Sequence, residues 1–365
     1  MPLLARVPPG VQTFFDDAVR RRKDVETAVL AVFSGWSYDE IWLPVFDYLD
    51  LFARGMGAWI PERTYRFTDR DGHLLALRPD FTSLVARTVA TRFGGRPRPV
   101  RLCYSGEVFR YDEPRHGRRN EFHQIGIEHI GHAGLAADLE VLLVAREAMA
   151  AVGLDAPVLT LSHAGYHRAL LQASAVDAED ARALRELWQR RSDEDLRRHL
   201  AGLGFAGDHP LAAVPGLVGA GALREARASL STGGAGGAAL AAVADLETLA
   251  EAGRQLGLGD CIQIDLGDAS ALDYYTGMTF RAFGPCSASE VGSGGRYDDL
   301  LGALGTREPA VGMVLYLERL LEASAARTAP LPEVTEIRAG QDLAGGFADA
   351  IAARGQGRQV RVVGP

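Results

Sequence analysis

The strand-length apolar runs of this chain follow one another through hairpins and short loops, not through alternating helices, and that connection style is the strongest constraint on its fold. Tyr65 to Leu77 alternates around Asp69-Arg70-Asp71-Gly72, a hairpin in which glycine supplies the positive φ. Val100 to Tyr111 and Glu121 to Gly131 are strand-like and separated by a charged loop, Asp112 to Asn120. Further strands are expected at Cys261 to Leu266, Thr279 to Phe283, Ser289 to Gly294 and Ala310 to Leu315. Helical spacing marks Val11 to Phe33, Phe81 to Phe93, Leu135 to Met149 and the segment running on to Ala325. A short run from Tyr38 to Phe46 contains Pro44, which favours an edge or interface position. The pattern predicts an α+β fold, an antiparallel sheet flanked by helices. Residues from about 155 to 256, rich in Ala, Leu and Gly, read as a mainly helical insertion. A Pro-containing hinge, Thr328 to Glu333, then leads to a strand-helix-strand tail. The expected organisation is a core over residues 1–325 and a short C-terminal β-α-β piece over 331–365.

Composition narrows the function classes. A net charge of -8 argues against a large basic surface for nucleic acid, which needs clustered Lys and Arg on phosphates. Three scattered cysteines, Cys103, Cys261 and Cys286, give neither a disulfide framework nor a zinc-ligand spacing. No metal or cofactor is expected. Neither a signal peptide nor a membrane-spanning run is read, so a cytoplasmic protein is the expectation. There is no G-x-G-x-x-G after a strand and no phosphate-binding G-x-x-x-x-G-K-[ST].

Four segments place polar residues inside apolar strands: Leu77 to Thr82, Phe109 to Glu128, Leu272 to Gly277, and Gly294 to Asp298 followed by Val311-Gly312 and Leu317 to Leu320. In the second, Phe122, Gln124, Gly126 and Glu128 share one face by the period-two alternation of a strand. Burying Gln and Glu in mid-sheet is costly unless something pairs with them. His123 and His129 fall on the opposite face and are not expected to be ligands. Asp273 and Asp298 read as caps or structural hydrogen-bond acceptors.

These segments resemble the motifs of class II aminoacyl-tRNA synthetases in their histidyl form, in the right order, over about residues 8 to 325. The N-terminal helix with Tyr38 to Pro44 is similar to motif 1, a dimer-interface element. Arg78 to Thr82 resembles R-P-E-x-T, and Phe109 to Glu128 resembles motif 2. Leu272 to Tyr275 is similar to the end of R-G-L-D-Y-Y, Gly294 to Asp298 to G-G-R-Y-D, and Leu317 to Leu320 to motif 3. The resemblance implies a histidine pocket. Asp80 and Thr82 take the ammonium, and Arg110 the carboxylate. Gln124 assists at either group, while Glu128 and Tyr275 read the imidazole, with Tyr274 nearby.

Departures from the family pattern concentrate on the ATP side. Ser270 stands where the family carries the arginine that stabilises charge as the adenylate forms, a loss worth several kcal/mol in the transition state. Asn120 replaces a second arginine, and Tyr316 replaces a small glycine and takes up space that adenine needs. Arg319 is retained. Phe81 adds bulk where the enzymes carry glycine. About 35 residues after Pro330 are too few for an anticodon-binding domain with its own core. This profile resembles the regulatory-subunit branch of the family, which partners the short catalytic subunit of ATP phosphoribosyltransferase in the first step of histidine biosynthesis. It implies no catalytic residues, a hetero-oligomer, self-association through the motif 1-like region, L-histidine as effector, and no tRNA. The alternative reading is a truncated histidyl-tRNA synthetase.

Overall fold

A computed structural model describes residues 7–56, 60–111, 119–233, 237–269, 274–285, 287, 289–324, 334–338 and 342–364. The chain opens with α1 (Asp16–Gly35), β1 (Asp39–Glu40), β2 (Phe46–Tyr48), α2 (Leu49–Met56), α3 (Ile60–Arg63), β3 (Arg66–Thr68) and β4 (Leu74–Leu77). Next come α4 (Thr82–Arg92), β5 (Val100–Phe109), β6 (Glu121–Ile130), α5 (Leu135–Ala151) and β7 (Val158–His163). A helical run follows: α6 (Ala164–Ala173), α7 (Ala178–Arg190), α8 (Asp193–Gly202), α9 (Pro210–Ala213), α10 (Ala222–Gly233) and α11 (Gly237–Gln255). Then come β8 (Ile262–Ile264), β9 (Met278–Phe283), β10 (Glu290–Arg296), β11 (Ala310–Tyr316) and α12 (Leu317–Ala323). The tail holds β12 (Val334–Arg338), α13 (Leu343–Gly355) and β13 (Gln359–Val363).

An eight-stranded sheet in the order β1-β5-β6-β11-β10-β9-β7-β8 carries the fold. The pairings from β5 through to β7 are antiparallel, as the hairpin connections predict. The two outermost pairs, β1 with β5 and β7 with β8, are parallel. The sheet is therefore mixed at its edges. Two further details differ from the sequence reading. Val158–His163, inside the stretch read as helical, is a strand of the main sheet. Residues 41–45 are not strand, because Pro44 has no N–H for a ladder and its neighbours run on as loop.

The sheet has an apolar layer on each face. Val29 and Phe33 of α1, with Val141 and Ala145 of α5, pack on Ile125 and Ile127 of β6. On the other side, Phe81, Val85 and Val89 at and within α4 meet Tyr104, Val108, Tyr297 and Leu301. This alternation aims Ile125 and Ile127 at α1 and α5, and hands the face bearing Gly126 and Glu128 to the α4 layer. A separate three-stranded sheet, β2-β4-β3, precedes α4. Its predicted turn is present, with Gly72 at φ +87°.

The chain divides into two compact units, Met1–Ala326 and Arg327–Pro365. In the second, β12 and β13 pair in parallel, joined through α13.

Candidate functional site

At the centre of the α4-side layer sits Glu128, 1% exposed, in register with Leu102 of β5 on one side and Gly312 of β11 on the other. Gly312 is required there, since a Cβ would run into the Glu128 carboxylate. Gly126, one step along the same face, likewise leaves room for the Tyr104 hydroxyl. Glu128 accepts three hydroxyl hydrogen bonds. Thr82 Oγ1 donates to Oε1 at 2.8 Å, Tyr104 to Oε1 at 3.2 Å, and Tyr297 to Oε2. Burial pushes the Glu128 carboxyl up to about 7, against the pull of those three donors and with a further push from the neighbouring Asp80 charge.

Asp80 lies just before α4 and is equally enclosed. Its Oδ1 faces the Ser83 amide at 3.5 Å, while Oδ2 is buried with no hydrogen-bond partner. Burial raises this carboxyl to about 6, and the Arg110 charge holds it from rising further. A buried carboxylate oxygen with no donor is costly, and a cation supplied from outside satisfies it. The walls around the two acids are aromatic. Phe81 stacks on Tyr104 with centroids 4.3 Å apart and an 11° interplanar angle. Tyr274 packs against Tyr275 at 4.6 Å and edge-on to Tyr297 at 5.8 Å. Two acids ringed by phenols fit a small organic cation with an aromatic or heteroaromatic body.

The other predicted residues fall close by. Thr82 spends its hydroxyl on Glu128. Gln124 is 2% exposed and in register with Gly106 and Tyr316. Arg110 Nε donates to the Pro79 carbonyl at 2.9 Å, and its guanidinium lies 5.2 Å from the Phe122 centroid. Arg78 is a structural tie: it donates to the Glu107 and Leu43 carbonyls at 2.6 and 2.9 Å and lies over Phe81. Sequence reasoning missed Tyr104 and did not single out Tyr297. Their signal was present, since Tyr104 shares a face with Leu102 and Val108, opposite the small Gly126.

On the far side of Phe122, Tyr316 occupies the space between two other side chains. Its ring is 6.0 Å from Phe122 and 4.5 Å below the Arg319 guanidinium, and its hydroxyl meets Ser293 Oγ at 3.2 Å. Arg319 donates to the Glu290 carbonyl at 2.9 Å and to its carboxylate at 3.1 Å. Asn120 Nδ2 donates to Pro9, and its backbone amide to the Gly10 carbonyl. Ser270 and Asp273 lie outside the described residues, as do positions 112–118 of the charged loop.

His123 and His129 point away from this pocket. His123 lies between Glu26 and Glu107; burial opposes its charge, but those two carboxylates raise it to about 9. His129 is buried against Glu140, and burial lowers it to about 4. Asp298 accepts from Arg296 and the Ala310 amide, a structural role.

Fold and pocket together define a class II aminoacyl-tRNA synthetase-like protein of the histidyl type. The sequence profile of the histidyl-tRNA synthetase family matches residues 10–320. A histidyl-tRNA synthetase from Nostoc sp. PCC 7120 superposes with a TM-score of 0.79 at 19% identity, covering 98% of this chain and 86% of that one, a likeness of fold. A structure described as an ATP phosphoribosyltransferase regulatory subunit/histidyl-tRNA synthetase from Bacillus halodurans superposes with a TM-score of 0.87 at 25% identity, covering 100% of this chain and 94% of that one. The ATP phosphoribosyltransferase regulatory subunit of Moorella thermoacetica is 38% identical over 89% of this chain and 83% of its own length. The chain belongs to the family of ATP phosphoribosyltransferase regulatory subunits, within the histidyl-tRNA synthetase fold.

Proposed function

We propose that this chain is the non-catalytic regulatory subunit of ATP phosphoribosyltransferase. It works with a short catalytic subunit in the first step of histidine biosynthesis and lends that step its histidine feedback. The identity to relatives bearing that name carries the assignment. The pocket supports the effector. In this reading the ligand's ammonium meets the unpartnered Asp80 Oδ2, Arg110 and Gln124 serve its carboxylate, and Glu128 and Tyr275 read the imidazole, with Tyr274 alongside. In this reading the retained half of the site takes an imidazole amino acid, and Tyr316, packed against Phe122 and Arg319, stands where the resemblance places the nucleotide. Adenylation and tRNA charging are therefore not assigned to it, and the truncated-ligase alternative is not favoured. A cytoplasmic location and a dimer through the motif 1-like region belong to the same proposal.

Feedback then works as a population shift. Histidine acts only to the extent that it binds the inhibited state of the complex more tightly than the active one. Co-purification with a short catalytic subunit is expected to yield ATP phosphoribosyltransferase activity that histidine suppresses. Histidine-dependent pyrophosphate exchange by this polypeptide alone would overturn the assignment.

A further inference from the structure

We propose that Tyr297 and Tyr104 are positioning residues that set the charge and the aim of Glu128, so that one remaining acceptor site of its carboxylate is presented to the ligand. The inference rests on the histidine reading above and goes beyond it by assigning these two tyrosines.

A carboxylate offers about four acceptor positions. Three are taken in this structure: two on Oε1 by Thr82 and Tyr104, and one on Oε2 by Tyr297. All three partners are hydroxyls acting as donors, and each stabilises the ionised form of the acid over the neutral one. In this proposal the fourth position, on Oε2, takes an N–H from a bound imidazole. Neither tyrosine is free to turn away. Tyr104 is held flat on Phe81. The Tyr297 backbone amide donates to the Ala310 carbonyl at 2.7 Å, and its ring is braced edge-on by Tyr274. Both side chains are 2% exposed, so water does not substitute for them. Gly126 and Gly312 complete the cradle by leaving the space that Tyr104 and Glu128 fill.

The charged and titratable groups facing Glu128 are Asp80 ahead of α4, Tyr104 on β5, Tyr274 and Tyr275 ahead of β9, and Tyr297 after β10, while the Arg110 charge acts on Asp80. The phenols are all raised above their ordinary value, chiefly by burial, and stay neutral through the working range. Burial raises both acids, Asp80 to about 6 and Glu128 to about 7. A donor removed from Glu128 therefore shows as an upward move of the Glu128 midpoint.

The test is calorimetric titration of L-histidine into the full chain between pH 6 and pH 9, for the natural protein, Tyr297→Phe and Tyr104→Phe. With Tyr297→Phe, affinity at pH 7 is expected to fall about tenfold and the pH midpoint for binding to rise by about one unit, so that most of the loss is recovered by pH 8.5. Tyr104→Phe is expected to shift the midpoint the same way by less, and it decides the question if Tyr297→Phe does not fold. Glu128→Gln should remove the midpoint that belongs to Glu128 and leave those of Asp80 and of histidine itself. A loss of affinity equal at every pH, or no loss, overturns the positioning role. Failure of the natural protein to bind histidine instead overturns the histidine reading itself.

Discussion

Asp80→Asn is expected to weaken histidine binding by about 2–5 kcal/mol while leaving the ligand-free protein as stable as before or more so. The first half follows from geometry. Asp80 Oδ2 is the one oxygen of the paired acids that is buried and without a hydrogen-bond partner, so a ligand ammonium placed there makes a desolvated ion pair. Removing the charge from one side strands the other. The second half follows from the raised carboxyls. Both Asp80 and Glu128 are held above their ordinary values by burial, so each favours the folded state more when protonated. For an acid raised in this way, that contribution is present below the unfolded value and is lost as pH rises through about 6 for Asp80 and about 7 for Glu128. At neutral pH the empty pocket thus carries a destabilising charge that asparagine relieves. Calorimetry with L-histidine and a thermal melt of the ligand-free variant read the two halves separately. Unchanged affinity would remove Asp80 from the ligand contacts; a large fall in melting temperature would mean that the carboxylate serves the fold.

Most of the fold was legible because each face of the sheet is buried by something local. The hairpin around Gly72, the long β5–β6 pair and the helices α4 and α5 all follow from period and turn chemistry. The misses have physical causes. β7 reads Val158-Leu159-Thr160-Leu161-Ser162-His163, and periodicity alone does not separate six such residues from a buried helix turn when Ala- and Leu-rich helices follow. The parallel edges were not readable either. β1 pairs with β5 across more than sixty intervening residues and β7 with β8 across about a hundred, with no turn to announce either pairing.

The pocket divides in the same way. Asp80, Thr82, Gln124 and Glu128 were visible as polar residues at strand or helix positions that ought to be apolar. The cradle around Glu128 was not, because its donors are contributed from sequence separations of 46, 24 and 169 residues. Nor does spacing reveal that Asn120 ties the segment at Pro9 and Gly10 to the start of β6. The substitution that reads as a loss at a nucleotide site is, in the folded chain, an anchor for the N-terminal segment.

A second large effect is expected far from any ligand atom. Arg296→Met should destabilise the protein by about 3–5 kcal/mol. Arg296 ends β10, and its guanidinium makes three hydrogen bonds, two to the start of α5 and one to the loop after β10. Nε donates to Asp138 at 2.9 Å, Nη2 to the Gly134 carbonyl at 2.9 Å, and Nη1 to Asp298 at 3.0 Å. Asp138, in the first turn of α5, is 2% exposed, and burial already raises its carboxyl; the arginine is what keeps it tolerable as a charge. Methionine fills the volume but leaves Asp138 buried without its cation, the circumstance in which breaking a buried pair costs most. Asp298, which keeps its bond to the Ala310 amide at 3.0 Å, would lose the guanidinium that shares the same oxygen. Because Tyr297 is the next residue along, loosening this corner also loosens the hydroxyl that Glu128 accepts. Chemical denaturation is expected to show the loss in full, and the double variant Arg296→Met with Asp138→Leu to recover most of it, since replacing both partners of a buried pair by apolar groups is far cheaper than orphaning one. Equal stability of Arg296→Met and the natural protein would mean that water reaches Asp138, and that the corner is held by the backbone ladder alone.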